Sequence, residues 1–139
     1  MRPVWAASPS EPKAIQDPHI YPTHHCFDDA LDFIIEVLKA NPQDRDALLE
    51  RLFLVHGLCQ APDGHPYAHA WVEDSRKTAC IFRGIVDGET HYFAAAKDEY
   101  YADAKVLEVT QYSVQEALEQ NRRHGTFGPW EPRYIALAR

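Results

Sequence analysis

The sequence predicts an α+β domain in which an N-terminal helix packs on an antiparallel sheet of about four or five strands and a C-terminal helix flanks the sheet. Three observations predict this fold class. A helical apolar pattern begins at Cys26, several alternating segments separated by turn residues follow it, and a capping-box sequence begins at Ser113. Helices segregated from a run of antiparallel strands are typical of the α+β class.

The first 22 residues are predicted to form an extended N-terminal arm, and residues 23–139 a single domain. The arm contains five of the 10 prolines and has no apolar periodicity. The 139 residues of the chain are enough for one domain with a core and too few for two domains of ordinary size.

The first helix is predicted to begin at Cys26 and to end before Pro42. Its sequence CFDDALDFIIEVLKANP places apolar residues at helical spacing, at Phe27, Ala30, Leu31, Ile34 and Leu38. Acidic residues in the first turn suit the positive end of the helix dipole. The acidic side chains of this helix are predicted to form a solvated face, which consists of Asp28, Asp29, Asp32 and Glu36.

Alternating segments after this helix predict a meander of antiparallel strands. A short helix over Asp44–Glu50 is expected to come first, and Pro62-Asp63-Gly64 is typical of a turn between the first two strands. The predicted strands are LFLVHG, PYAHAWVED, TACIFRGI, ETHYFAA and KVLEVTQY, with a short helical segment KDEYYADA before the last.

The last helix is predicted from both of its ends. Ser113 followed three residues later by Glu116 is a capping box, and Gly125 after a basic last turn is a normal C-terminal stop. The aromatic tail FGPWEPRY that follows is expected to pack back on the domain.

Charge and cysteine usage limit the partners. With 14 basic and 21 acidic residues the net charge is -7, so a nucleic acid or an anionic membrane would be repelled, and neither is expected as a partner. No apolar run approaches the roughly 20 residues that cross a bilayer, and we expect a cytoplasmic protein. The three cysteines are far apart in sequence and odd in number, so each is predicted to be a free thiol.

Two residues are candidates for nucleophilic chemistry, Cys26 and His69. Cys26 opens a helix, where free backbone N–H groups and the helix dipole favour a thiolate. His69 lies at the centre of a predicted strand with an alanine on either side, a setting that would hold an imidazole as a general base. Cys59 is a weaker candidate because a loop thiol lacks the helix dipole, and Cys80 is expected to lie in the core.

The order of a cysteine at a helix start, then a strand, then a strand with the motif HAWVE resembles the papain-like cysteine peptidase superfamily, in particular its transglutaminase-like branch. That resemblance covers about residues 23–95. It implies a hydrolase or acyltransferase with Cys26 as nucleophile and His69 as base, acting on a peptide or small amide or a thioester, with no cofactor or metal. The branch also has an acid or amide on the next strand to orient the imidazole, and here that position holds Cys80-Ile81-Phe82. Asp87 in the next turn and Asp98 beyond the following strand are the acids that could take this place.

Two other function classes stay open at this point. The first is a non-catalytic binding module on the same scaffold, with a recognition surface made of Tyr67, Trp71, Tyr92, Tyr100, Tyr101 and Trp130. The second is a metal-binding domain, for which the available ligands are His24, His25, His56, His65, His69 and His91.

Overall fold

The computed structural model describes residues 21–22 and 25–138, so most of the predicted N-terminal arm and His24 lie outside the described residues. In chain order the elements are β1 (Tyr21–Pro22), α1 (Cys26–Ala40), a 3-10 turn (Pro42–Asp44), α2 (Arg45–Arg51), β2 (Leu52–Gln60), β3 (Pro66–Asp74), β4 (Ala79–Val86), β5 (Glu89–Ala96), α3 (Lys97–Asp103), β6 (Val106–Ser113), α4 (Val114–His124) and α5 (Pro132–Ile135).

The sheet is antiparallel and confirms the predicted α+β class. Strands β2 to β5 follow one another as a meander, and β6 returns to pair with the free side of β2. The two-residue β1 adds a sixth strand that the sequence did not predict, because its pairing with Gly84 and Ile85 of β4 is a long-range contact.

Apolar clusters lie on both faces of the sheet. On one face α1 packs with side chains that include Leu31, Ile34, Leu54, Val72 and Ile81. On the other face α3 packs with a second cluster that consists of Val55, Cys59, Trp71, Cys80, Phe82, Ala95, Tyr100 and Ala104. Burial on both sides explains why β3 and β4 are rich in apolar residues rather than strictly alternating.

The helix ends follow local chemistry. In α4, Ser113 accepts a hydrogen bond from the N–H of Glu116 at 3.1 Å, and the Glu116 carboxylate accepts one from the Ser113 N–H at 2.8 Å, which confirms the predicted capping box. Gly125 ends this helix in the left-handed conformation at φ 71°. By contrast, the N-terminus of α1 has no side-chain cap.

One prediction about α1 is wrong. Asp29 does not belong to a solvated face, because it is only 8% exposed and pairs with Arg83 at 3.1 Å. Its neighbour Asp28 is exposed as expected.

Across the described part of the chain, none of the helices combines the length and the apolar character that a bilayer crossing requires.

Candidate functional site

The candidate site lies where β3 and β4 separate. Direct pairing between these strands covers only Val72–Asp74 of β3 and 79–81 of β4, and the far half of β4 pairs with β1 instead. A cavity of about 30 Å³ occupies the gap, which is room for about two water molecules. Its lining comes from both faces of the sheet and includes Cys26, Ala30, His69, Trp71, Phe82 and Tyr100.

Cys26 is the first residue of α1 and forms one wall of the cavity. The first hydrogen bond within the helix runs from the Asp29 N–H to the His25 carbonyl at 2.8 Å, so the N–H groups of Cys26 and Phe27 precede that ladder. Burial raises the pKa of the Cys26 thiol from 9.0 to about 11, although the backbone N–H groups of Ala70, Phe27 and Cys26 act in the opposite direction.

The contact with Ala70 follows from the sheet topology. Because direct pairing of β3 with β4 stops at Val72, the Ala70 N–H has no partner on β4, and it acts to lower the pKa of the neighbouring Cys26 thiol. The next outward-facing N–H along β3, that of Ala68, donates to the carbonyl of Leu137 at 2.9 Å. The free edge of β3 is therefore closed by a thiol and by the C-terminal segment.

His69 forms another wall of the cavity and points to the face of the sheet opposite α1. Its ring packs between Tyr67 and Trp71, with ring centroids 5.9 and 5.7 Å away, and its Nε2 lies 2.9 Å from the Tyr100 hydroxyl. Gly57 lies opposite His69 on β2, and a Cβ there would come within 2.7 Å of the Trp71 ring. Burial lowers the pKa of His69 from 6.5 to about 4.

The two predicted residues thus share one cavity although they belong to opposite faces of the sheet. Both line the cavity that lies where direct pairing of β3 with β4 ends. In this closed form both are neutral at pH 7, since burial raises the pKa of the thiol and lowers the pKa of the imidazole. Within the described residues, the hydrogen-bond partner of the His69 ring is Tyr100 and not Cys26.

The acids that the sequence offered as orienting residues do not contact His69. Asp87 lies in the exposed turn between β4 and β5, and Asp98 is exposed on α3. Tyr100, two residues further along α3, reaches the imidazole instead and is fully buried. Sequence reasoning grouped Tyr100 with other aromatic residues because nothing in the local pattern indicates which side chain of a short helix faces β3.

Charged and polar groups stand at one side of the cavity. The Arg83 guanidinium donates to the Asp29 carboxylate at 3.1 Å and lies 5.4 Å from the centre of the Tyr92 ring. The side chain of Arg83 is 36% exposed, which leaves a cation accessible beside the otherwise apolar lining.

The rival thiols are both in the core. Cys59 is not a loop residue, as the sequence suggested, but lies in β2 with no exposed surface, and burial raises its pKa to about 12. Cys80 is buried in β4, which confirms its predicted place in the core.

Half of the predicted aromatic recognition surface lies inside the domain, and Tyr67, Tyr92 and Tyr101 are partly exposed. Trp71 and Tyr100 have no exposed area and Trp130 is 8% exposed, so three of its six members lie inside the domain. Among the residues that the structure describes, no three histidine, cysteine or acidic side chains come close enough together to hold a metal ion.

Another histidine, His56, is more deeply buried than the half-buried His69 and was not recognised from the sequence as unusual. It lies on β2 with no exposed area, and neither ring nitrogen has a hydrogen-bond partner among the residues that the structure describes. Its neighbours are aromatic, namely Phe27, Tyr112, Trp130 and Tyr134. Burial lowers the pKa of His56 to about 3.

The glutamate of the HAWVE motif is buried and hydrogen-bonded to neighbouring side chains. Glu73 is 3% exposed, and its carboxylate accepts hydrogen bonds from Trp71 at 3.1 Å and Gln111 at 2.9 Å and from the Tyr101 hydroxyl, with Lys97 3.2 Å away. These contacts tie α3 and β6 to β3 and so fix the helix that carries Tyr100.

Comparison of the chain with protein-family models gives no match, and comparison with curated proteins and with solved structures gives none either. The likeness to the transglutaminase-like branch therefore rests on Cys26, His69 and the order of elements alone.

Proposed function

We propose that this protein is a cysteine-dependent hydrolase or acyltransferase that acts on an amide or thioester through Cys26 and His69. The observation that carries the proposal is the shared cavity, in which the thiol at the start of α1 and the imidazole of β3 line the same space. A nucleophile and a base facing one cavity are the minimum that covalent acyl transfer requires.

In the proposed reaction the Cys26 sulfur forms a bond to the acyl carbon as its proton passes to His69. The amine or thiol leaving group then takes that proton from the imidazolium as its bond to the acyl carbon breaks. Water, or another acceptor, attacks the acyl-enzyme with His69 again as base and releases Cys26 as a thiol. Nε2 of His69 is bonded to Tyr100, so Nδ1 is the nitrogen that takes up the proton.

Both groups are neutral before substrate binds, so His69 acts as a general base during attack rather than through a preformed ion pair. The backbone N–H groups of Cys26, Phe27 and Ala70 lie close enough to the sulfur to lower the pKa of the thiol. They are the donors available to an oxyanion that forms on the carbon attached to that sulfur.

A substrate must widen the cavity, because about 30 Å³ is smaller than an acyl group with its leaving group. Pairing of β3 with β4 stops at Val72 and Ile81, so widening the gap beyond that point breaks no hydrogen bonds between these two strands. The separated strands thus provide a route for an extended substrate to reach Cys26.

The test is acylation by activated probes. The protein is incubated at pH 7.5 with 4-nitrophenyl acetate and with a phenyl thioester, and mass spectrometry locates the acyl group. We expect a single adduct on Cys26 that is absent from Cys26→Ala. Cys59→Ala is the matched control, since it removes a buried thiol from β2 and should leave the adduct in place.

Two results would contradict the proposal. One is an adduct that persists in Cys26→Ala, and the other is a folded wild-type protein that forms no adduct with either probe.

A further inference from the structure

Tyr100 occupies the place where an orienting acid would be expected. Tyr100 has no exposed area. It lies on α3, 31 residues beyond His69 in sequence, and not on the next strand. Its ring contacts Trp71 and Phe82, with centroids 5.2 and 5.3 Å away, so the hydroxyl is held in position by packing. Glu73 fixes the same helix through Tyr101 and Lys97.

The hydroxyl of Tyr100 is neutral, because burial raises its pKa well above 10. A neutral hydroxyl can either donate or accept a hydrogen bond, whereas an imidazolium can only donate. When His69 carries the extra proton of the reaction, the bond between these residues must therefore run from Nε2–H to the Tyr100 oxygen.

The surroundings of Cys26 favour the same direction before the reaction. A thiol S–H is a weak hydrogen-bond donor, and Cys26 lines the cavity, so an acceptor in the cavity would satisfy it. The Nδ1 atom of His69 makes no hydrogen bond to another described residue, and its ring lines the same cavity. A lone pair on Nδ1 would meet this requirement, and it exists only if the ring proton is on Nε2.

We propose that Tyr100 is the positioning residue of the site: it accepts a hydrogen bond from Nε2–H of His69 and so keeps Nδ1 unprotonated and directed at the cavity. This inference rests on the proposed function, but the bond and the tautomer can be observed without any substrate. A phenol in this place orients the imidazole and adds no negative charge beside it, unlike an acid.

The test is the tautomer of His69 in solution. Two-bond 1H–15N correlation spectra of protein labelled with 15N-histidine are recorded at pH 7 for the wild type, Tyr100→Phe and Tyr101→Phe. Tyr101→Phe is the matched control, because the hydroxyl it removes bonds Glu73 and not His69, while Lys97 still ties this helix to Glu73. We expect the pattern of an Nε2-protonated ring in the wild type and in Tyr101→Phe, and a mixture of tautomers in Tyr100→Phe.

The same variants are compared in the acylation assay. Loss of one neutral hydrogen bond predicts acylation of Cys26 about 10-fold slower in Tyr100→Phe and within about 2-fold of wild type in Tyr101→Phe. A wild-type ring protonated on Nδ1, or a tautomer unchanged in Tyr100→Phe, would overturn the role of Tyr100 even if Cys26 is acylated. Absence of acylation with the expected spectra would instead contradict the proposed function and leave the hydrogen bond established.

Discussion

His56 and His69 lie on neighbouring strands of the same sheet, and burial lowers the pKa of both, to about 3 and about 4. Both rings pack against aromatic side chains, but their hydrogen bonding and the space beside them differ. His56 is enclosed by aromatic rings on the α1 face, where neither ring nitrogen has a partner. His69 lines a cavity on the other face and bonds Tyr100.

The difference teaches that a strongly shifted pKa does not by itself identify a catalytic histidine. The same physical cause, desolvation, acts on both rings. Of the two, only His69 has the three features that the proposed chemistry requires, namely a cavity beside the ring, a hydrogen bond to a second residue and a thiol in the same cavity. His56 has none of these features. Burying its two ring nitrogens without a hydrogen-bond partner among the described residues lowers the stability of the fold, and the contacts with the surrounding aromatic rings offset that loss.

The largest expected contrast is in acyl transfer. His69→Ala should slow acylation of Cys26 by about 1000-fold, since general-base catalysis typically contributes 10²- to 10⁴-fold. His56→Leu, which keeps the side-chain volume and removes two unpaired nitrogens, should leave the rate within about 2-fold. Time-resolved mass spectrometry of the acyl adduct measures both rates, with circular dichroism to verify folding. If both variants fold and their acylation rates fall equally, the distinction between the two histidines is wrong.

The next contrast tests how tightly His56 is enclosed. Gly128 has φ 112°, and a Cβ there would lie 2.7 Å from the His56 ring, so Gly128→Ala adds both backbone strain and a clash. We expect it to lower the free energy of unfolding by about 3 kcal/mol. Gly88→Ala is the control, because φ is 80° and nothing lies within 4 Å, and it should cost about 1 kcal/mol. Urea denaturation gives both values. Equal losses of unfolding free energy in the two variants would mean that the His56 ring moves aside easily.

The smallest contrast is in the response to acid. The pKa of His56 is 6.5 when unfolded and about 3 when folded, so below pH 6.5 the unfolded chain binds a proton that the folded chain does not. Stability therefore falls as the pH drops from 6.5 towards 3, by about 2 kcal/mol at pH 5 for this group. His56→Leu should lose about that much less than wild type between pH 7 and pH 5 in urea melts. If the free energy of unfolding falls equally with pH in wild type and in His56→Leu, His56 does not make the protein sensitive to acid.

Local patterns in the sequence predicted most of the fold. The bounds of α1, the capping box of α4 and the order of strands all depend on residues within a few positions of one another, where spacing and turn chemistry decide the outcome. The short helix α2 differs from its predicted range by one residue at each end. Partners far apart in sequence were not predictable, and these include the pairing of β1 with β4 and of β6 with β2.

The same distinction applies to the candidate site. Cys26 and His69 could be selected because each has a local setting that suggests chemistry, a helix start and a strand with small neighbours. Whether they act together stays a prediction. Tyr100 and the two unpaired nitrogens of His56 depend on which side chains meet across elements, and a single sequence does not contain that information in any local pattern.

The bond from the Ala68 N–H to the Leu137 carbonyl has a consequence for how the protein is made. Ala68 is the residue before His69, and Leu137 follows α5 near the end of the chain. During synthesis β3 is complete long before the residue that closes its edge leaves the ribosome. A nascent chain therefore carries β3 with this part of its edge unpaired until Leu137 has left the ribosome.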